Sequence, residues 1–176
     1  MELREFLIDP VRDLRLHARV HGVRYPDDAV RSLSKANIEY SGWIANHRVP
    51  EIFSRYRLTV HVPRLPYMTT LRGVPTIRPF EALACGIPLI SAPWDDAERL
   101  FTPGEDFLVA KNGSEMRRHM LSLIHDRALA RWMARRGLQT IQRRHTCAHR
   151  VEELMSILEE VGLPQACASH SSAAAS

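Results

Sequence analysis

Lysine is almost missing from this sequence of 176 residues: Lys35 and Lys111 are set against 22 arginines, within totals of 24 basic and 20 acidic side chains. Cysteine is scarce as well. Cys85, Cys147 and Cys167 are odd in number and far apart, which excludes a disulfide framework and a Cys-x-x-Cys zinc module. Long apolar runs are lacking; stretches such as residues 87–93 fall well short of the roughly 20 residues that cross a bilayer. Residues 1–10 carry Glu2 and Glu5 and no basic start followed by an apolar run, so no secretory signal is expected and a cytoplasmic location is. What remains is ordinary: 45% hydrophobic, 25% charged and 7% aromatic residues exclude collagen, coiled coil and wholesale disorder and fit one globular domain.

The arginine excess has two readings. Arginine is the better fork for phosphate and carboxylate, which points to an anionic ligand; arginines interleaved with acids along a whole chain also arise as a compositional habit with no ligand behind it. No basic stripe interleaved with aromatic stacking positions stands out, so nucleic acid is not expected as a partner.

Along the chain, short apolar runs alternate with short helical patterns, and three amphipathic helices follow. The expected strands are residues 18–23, 38–43, 58–62, 88–92 and 106–110, each bounded by Gly, Pro, Asn or Asp. Between them, helices are expected over residues 27–35, 49–56 and 79–85, the last ended by Gly86. Ser114 is expected to cap a helix carrying Met116, Met120, Leu123 and Ile124; a second helix spans 128–144, and a third begins near Thr146 with Val151, Leu154, Met155, Leu158 and Val161 on one stripe. The fold class is therefore α/β: a Rossmann-like parallel sheet flanked by helices, with a helical C-terminal portion. One domain is expected over residues 1–162, and residues 163–176 form a small polar tail that lacks the apolar content to order itself.

The most informative segment runs over residues 73–91, a loop that enters a helix and returns to a strand. Pro79 suits a first helical turn, where free backbone N–H groups and the positive end of the dipole attract anions. Arg72 and Arg78 flank this loop, and in a doubly wound sheet ligands sit at the carboxyl ends of the strands. Glu81, on the same turn, has the reach to accept two hydrogen bonds from a ribose diol. The plainer alternative is that Glu81 complements the helix dipole and Arg78 is solvated. Thr76 and Ile77 are the phosphate-loop candidates. For the loop at residues 94–98, two readings stand: Ser91 and the backbone near Asp95 line a phosphate pocket, or the loop caps a short helix over 97–101. His145 and His149 are four apart with Cys147 between them, but Cys147 would point elsewhere on a helix, no other ligand stands nearby in sequence, and no metal site is expected. His61, close to a strand end, is either within reach of the cleft or a satisfied core residue.

The run Arg78-Pro79-Phe80-Glu81-Ala82-Leu83-Ala84-Cys85-Gly86-Ile87-Pro88-Leu89-Ile90 resembles the signature of the nucleotide-sugar-binding half of GT-B glycosyltransferases. Residues 100–110 and the His145-Thr146-Cys147-Ala148-His149-Arg150 segment resemble two later motifs of the same group, in the same order. The CgeB-type, spore-maturation-like glycosyltransferases are the nearest match. The resemblance implies a Rossmann-like domain holding a nucleotide-diphospho-sugar as substrate, with no metal and no separate cofactor, for transfer of the sugar to an unknown acceptor. It also implies a second, acceptor-binding half, supplied by a partner chain if not by this one. By this resemblance Arg78 contacts the diphosphate and Glu81 the ribose, and Arg72 and Ser91 join them as donor-binding candidates. Family 4 of the retaining glycosyltransferases, also similar, carries a further glutamate eight positions before the one matched by Glu81; here that position is Gly73. Two rivals to an active donor domain are a non-catalytic nucleotide-sugar-binding or interaction module, and a helical scaffold whose basic helices meet an anionic membrane or nucleic acid.

Overall fold

The computed structural model describes residues 2–63, 69–71 and 73–162. Five short strands are present among them: β1 (Ala18–Val20), β2 (Ile38–Tyr40), β3 (Thr59–His61), β4 (Leu89–Ser91) and β5 (Leu108–Val109). All pair in parallel, β1 with β2 and, in a second set, β3 with β4 with β5. Helices α1 (Asp9–Asp13), α2 (Asp27–Lys35), α3 (Val49–Phe53) and α4 (Ile77–Ala84) belong to the alternating half, and α5 (Gly113–His125), α6 (Arg127–Arg144) and α7 (Cys147–Glu160) form the helical portion. This is the expected α/β, Rossmann-like arrangement.

The strands are shorter than their apolar runs. Pro63, Pro88 and Pro93 bound β3 and β4 and have no N–H to extend a ladder. Beyond Val20 and Tyr40 only isolated bonds continue, such as Gly22 N–H to the Gly42 carbonyl at 2.8 Å. One apolar cluster joins both strand sets: Val20 and Ile38 pack with Ile90, Ala110, Met116, Met120 and Met133. A second, with Leu83, Leu89, Phe101, Phe107 and Ile141, fills the space around α4 and α6. There α6 passes so close to α4 that a Cβ on Gly137 would lie 2.6 Å from Leu83 Cδ2.

Four local features differ from the sequence reading. The N-terminal segment, in which no element was placed, is helical: a π-turn at Arg4–Ile8 leads into α1, with Phe6, Ile8 and Val11 buried. The wide turn just before Pro10 accommodates its missing N–H, which hides the helix from a periodicity reading. Asn112, not Ser114, caps α5, because its extended backbone lets the amide oxygen accept the Glu115 N–H at 2.9 Å. Residues 97–101 form a turn rather than a helix, with Arg99 at φ 52°. The stripe on α7 faces outward: Val151, Leu154 and Val161 are exposed. The polar tail at residues 163–176 lies outside the described residues.

Candidate functional site

Parallel register places His61 and Ser91 side by side at the carboxyl ends of β3 and β4. The next element, α4, begins at the same edge with Thr76 as its N-cap residue in an extended conformation. These three side chains form one chain, with His61 and Ser91 buried and Thr76 half-buried. His61 Nδ1 lies 2.9 Å from Ser91 Oγ, and His61 Nε2 lies 2.9 Å from Thr76 Oγ1. Ser91 Oγ in turn donates to the Ala92 carbonyl at 2.7 Å, so it accepts from His61. The network then assigns the proton: Nδ1–H donates to Ser91, and the Thr76 hydroxyl donates to Nε2. The imidazole is neutral. Burial and, next, the positive charge of Arg78 lower its pKa to about 4, because both disfavour a second proton.

This chain has a consequence for α4. A threonine at an N-cap ordinarily turns its oxygen onto the first-turn N–H groups, as Thr146 does for α7 by accepting from His149. Thr76 makes no such bond: its side chain is turned toward His61, and the third helical residue, Pro79, has no N–H to offer it. The N–H groups of Ile77 and Arg78 therefore open the helix without a side-chain cap, at the edge where the helix dipole is positive. Such a terminus is suited to an anion.

Arg78 and Glu81 are neighbours one turn apart. The Arg78 guanidinium Nη1 donates to Glu81 Oε2 at 2.5 Å, with Arg78 largely exposed and Glu81 mostly covered. Both groups face the same edge, and each is the other's partner. Ser91 is fully buried; it supports His61 from beneath the edge rather than presenting a hydroxyl at it. Arg72 lies outside the described residues. Gly73, at φ 79°, holds a left-handed turn, and a Cβ there would sit 2.9 Å from the Ala97 Cβ. No acidic side chain fits that position without local rearrangement.

In the loop after β4, Asp96 accepts the N–H groups of Leu100 and Phe101 at 2.9 and 3.0 Å; it closes the turn at residues 97–101, where the capping alternative had a helix. Two further motif residues brace the domain. Buried Asp106 accepts from the Thr102 N–H and from Thr140 on α6 at 2.8 and 2.7 Å, and Glu105 pairs with Arg136. His145 packs against Phe80 and Phe101 and bonds the Leu100 carbonyl at 2.9 Å, while His149 bonds Thr146. Among the described residues no group of three or more His, Cys, Asp or Glu gathers as metal ligands, and no helix is long and apolar enough to cross a membrane. The role of His61 as the hub was the residue-level feature that sequence reasoning missed; its place two residues before Pro63, at a strand end, was the available signal.

A family model described as glycosyl transferase-like matches residues 4–156. No curated protein matches the chain. Among solved structures, Anabaena HepE in complex with UDP-glucose superposes with a TM-score of 0.70 at 16% identity, over 88% of this chain and 44% of that one. Sucrose-phosphate synthase from Thermosynechococcus elongatus gives 0.67 at 16% identity, over 89% of this chain and 41% of that one. A T4 phage BGT mutant in complex with UDP-glucose gives 0.68 at 17% identity, over 92% and 44%. The likeness is one of fold, and the chain spans less than half the length of each of these structures.

Proposed function

The chain belongs to the glycosyl transferase-like family, and from that premise we propose that its strand edge at His61, Thr76 and Arg78 holds the nucleotide diphosphate of a sugar donor, for transfer of the sugar to an acceptor hydroxyl. The observation that carries this reading is the uncapped start of α4: Thr76 bonds His61 instead of its own helix, next to Arg78. A diphosphate placed there accepts from the Ile77 and Arg78 N–H groups and takes the Arg78 guanidinium from Glu81. Glu81 is then released to accept from the ribose hydroxyls. When the bond between the anomeric carbon and the diphosphate oxygen breaks, negative charge grows on the departing diphosphate, and a fixed guanidinium and helix terminus stabilise it without a metal ion. The acceptor half of the reaction belongs to a second domain or a partner chain in this reading. The pattern from Arg78 to Ile90 supports the CgeB-type group in particular.

HepE and the T4 phage enzyme are held with UDP-glucose, so uridine nucleotides are the first probes. Isothermal titration of the chain with UDP and with uridine tests the assignment. Arg78→Ala is expected to weaken UDP binding about tenfold or more, and uridine binding far less, since only the diphosphate uses the charge. Equal losses for both ligands would reject the phosphate role. Gly73 favours a second reading, a nucleotide-sugar-binding module without transfer, because the position of the additional glutamate has no side chain and little room for one. Binding of UDP-glucose with no turnover when the acceptor half is supplied would select it.

A further inference from the structure

At the opposite, amino ends of β3 and β4 the surface is basic over an apolar floor. Arg57, Arg127 and Arg131 line a depression of about 380 Å³ together with Pro88, Leu123 and Ile124. It continues past Ala134 to Arg135. Helix α6 sets Arg127, Arg131 and Arg135 four residues apart, hence in one row, and no acidic residue occurs anywhere in its 18 residues. Trp132, beside the row, is 42% exposed. Sequence reading expected no basic stripe with an aromatic beside it, yet α6 carries one in consecutive turns; what the fold adds is Arg57 and the apolar floor, brought in from distant parts of the chain.

Half of the described arginines meet a carboxylate and half do not; what sets these four apart is that unpaired guanidinium groups gather along one depression. Arg12, Arg19, Arg78, Arg117, Arg136 and Arg150 each meet a carboxylate. Among the described residues, Arg57, Arg127, Arg131 and Arg135 form no such pair; Arg57 donates to the Ile124 carbonyl at 3.0 Å, and Arg131 and Arg135 donate to the carbonyls of Arg127 and Arg131. Asp126, the acid next in sequence, uses its carboxylate to cap the N–H groups of Ala128 and Leu129. A cluster of guanidinium groups with no counter-charge, on an apolar floor and beside a half-exposed indole, matches a layered partner: anionic on the outside and apolar just beneath. Indole rings favour that boundary. A nucleic acid would satisfy the charges and leave the apolar floor unused.

We propose that this face docks onto the surface of a bilayer carrying anionic headgroups, the arginines meeting lipid phosphates and Trp132 entering the interfacial layer. The inference is independent of the sugar-donor reading. It leaves the carboxyl edge, at the other end of the strands, open to solvent.

Co-sedimentation of the full chain with vesicles tests it. Binding is expected to phosphatidylcholine vesicles containing phosphatidylglycerol, falling steeply with salt, and not to phosphatidylcholine alone. Trp132 emission should shift to the blue on binding, a change absent in Trp132→Phe. The triple variant Arg127→Gln/Arg131→Gln/Arg135→Gln should lose partitioning by on the order of 100-fold, while melting no lower than the wild type, whereas the corresponding triple lysine variant should retain it. Equal binding to both vesicle types, or wild-type binding by the glutamine variant, would overturn the proposal. So would salt-dependent capture of an RNA oligonucleotide without vesicle binding, which would assign the face to nucleic acid.

Discussion

At the carboxyl ends of β3 and β4, Arg78 is paired with Glu81 beside a neutral, buried His61, whereas at the amino ends Arg57, Arg127 and Arg131 share a depression that no carboxylate lines. The same side chain is thus kept in two states by one fold. A guanidinium held by an internal carboxylate is positioned, and a ligand must compete for it; one without such a partner is already available, and its attraction extends about a Debye length into solvent. The contrast teaches that the arginine excess has no single meaning. It also separates how each end responds to pH, to shape and to charge removal.

The largest expected effect is at the carboxyl end and comes from pH. His61 has its folded pKa lowered to about 4, first by burial and then by the Arg78 charge, against an unfolded value near 6.5. Above about pH 6.5 both folded and unfolded forms are neutral at this residue, and its contribution to stability is complete. As pH falls toward 4, the unfolded chain binds a proton that the folded chain refuses, so about 3 kcal/mol is lost across that window. Denaturant melts of the wild type and of His61→Gln between pH 7 and 4 measure it: the wild type should lose the more stability, and parallel curves would break the assignment of a neutral hub. Arginines do not titrate in this range, so vesicle binding through the amino end should not decline over it.

A smaller effect is expected at Gly73. Its left-handed backbone alone makes a side chain costly, by about 1–2 kcal/mol, and the approach to Ala97 adds to that. Gly73→Ala should lower the unfolding free energy by about 2 kcal/mol. In Gly73→Ala/Ala97→Gly the contact is relieved and only the backbone part should remain. If the double variant is no more stable than Gly73→Ala, the close approach does not matter and the space for a side chain there is larger than the geometry indicates.

The alternating order of elements, the α2 limits, the α4 region and the Thr146 start of α7 were all legible, because each is set by local chemistry: prolines at strand ends, glycine after a helix, a hydroxyl before one. The N-terminal helix was not, since a proline inside it defeats a periodicity reading. The candidate site was legible in part. Arg78, Glu81 and Thr76 lie on one short segment whose pattern resembles a known family, but the His61–Thr76–Ser91 chain joins three segments, and only the parallel register of β3 with β4 brings them together. The sequence also gave no reason to set Arg57 beside α6, because pairing or isolation of a charge is a property of folded neighbours.

The smallest expected effect has the opposite sign. Arg127, Arg131 and Arg135 are like charges at i, i+4 spacing on one helix, an arrangement that disfavours the helix by a few tenths of a kcal/mol per pair. Arg131 belongs to both pairs, and its replacement by glutamine, a residue of similar helix propensity, removes both repulsions. Arg131→Gln should therefore raise stability by about 0.5 kcal/mol at low salt, with the gain fading as salt screens the row. A loss of stability would mean that the Arg131 bond to the Arg127 carbonyl braces the helix, and that the arginine row is kept for structure. A gain would mean that the folded chain tolerates a repulsion it has no structural use for, as expected of a surface whose counter-charge lies on another body.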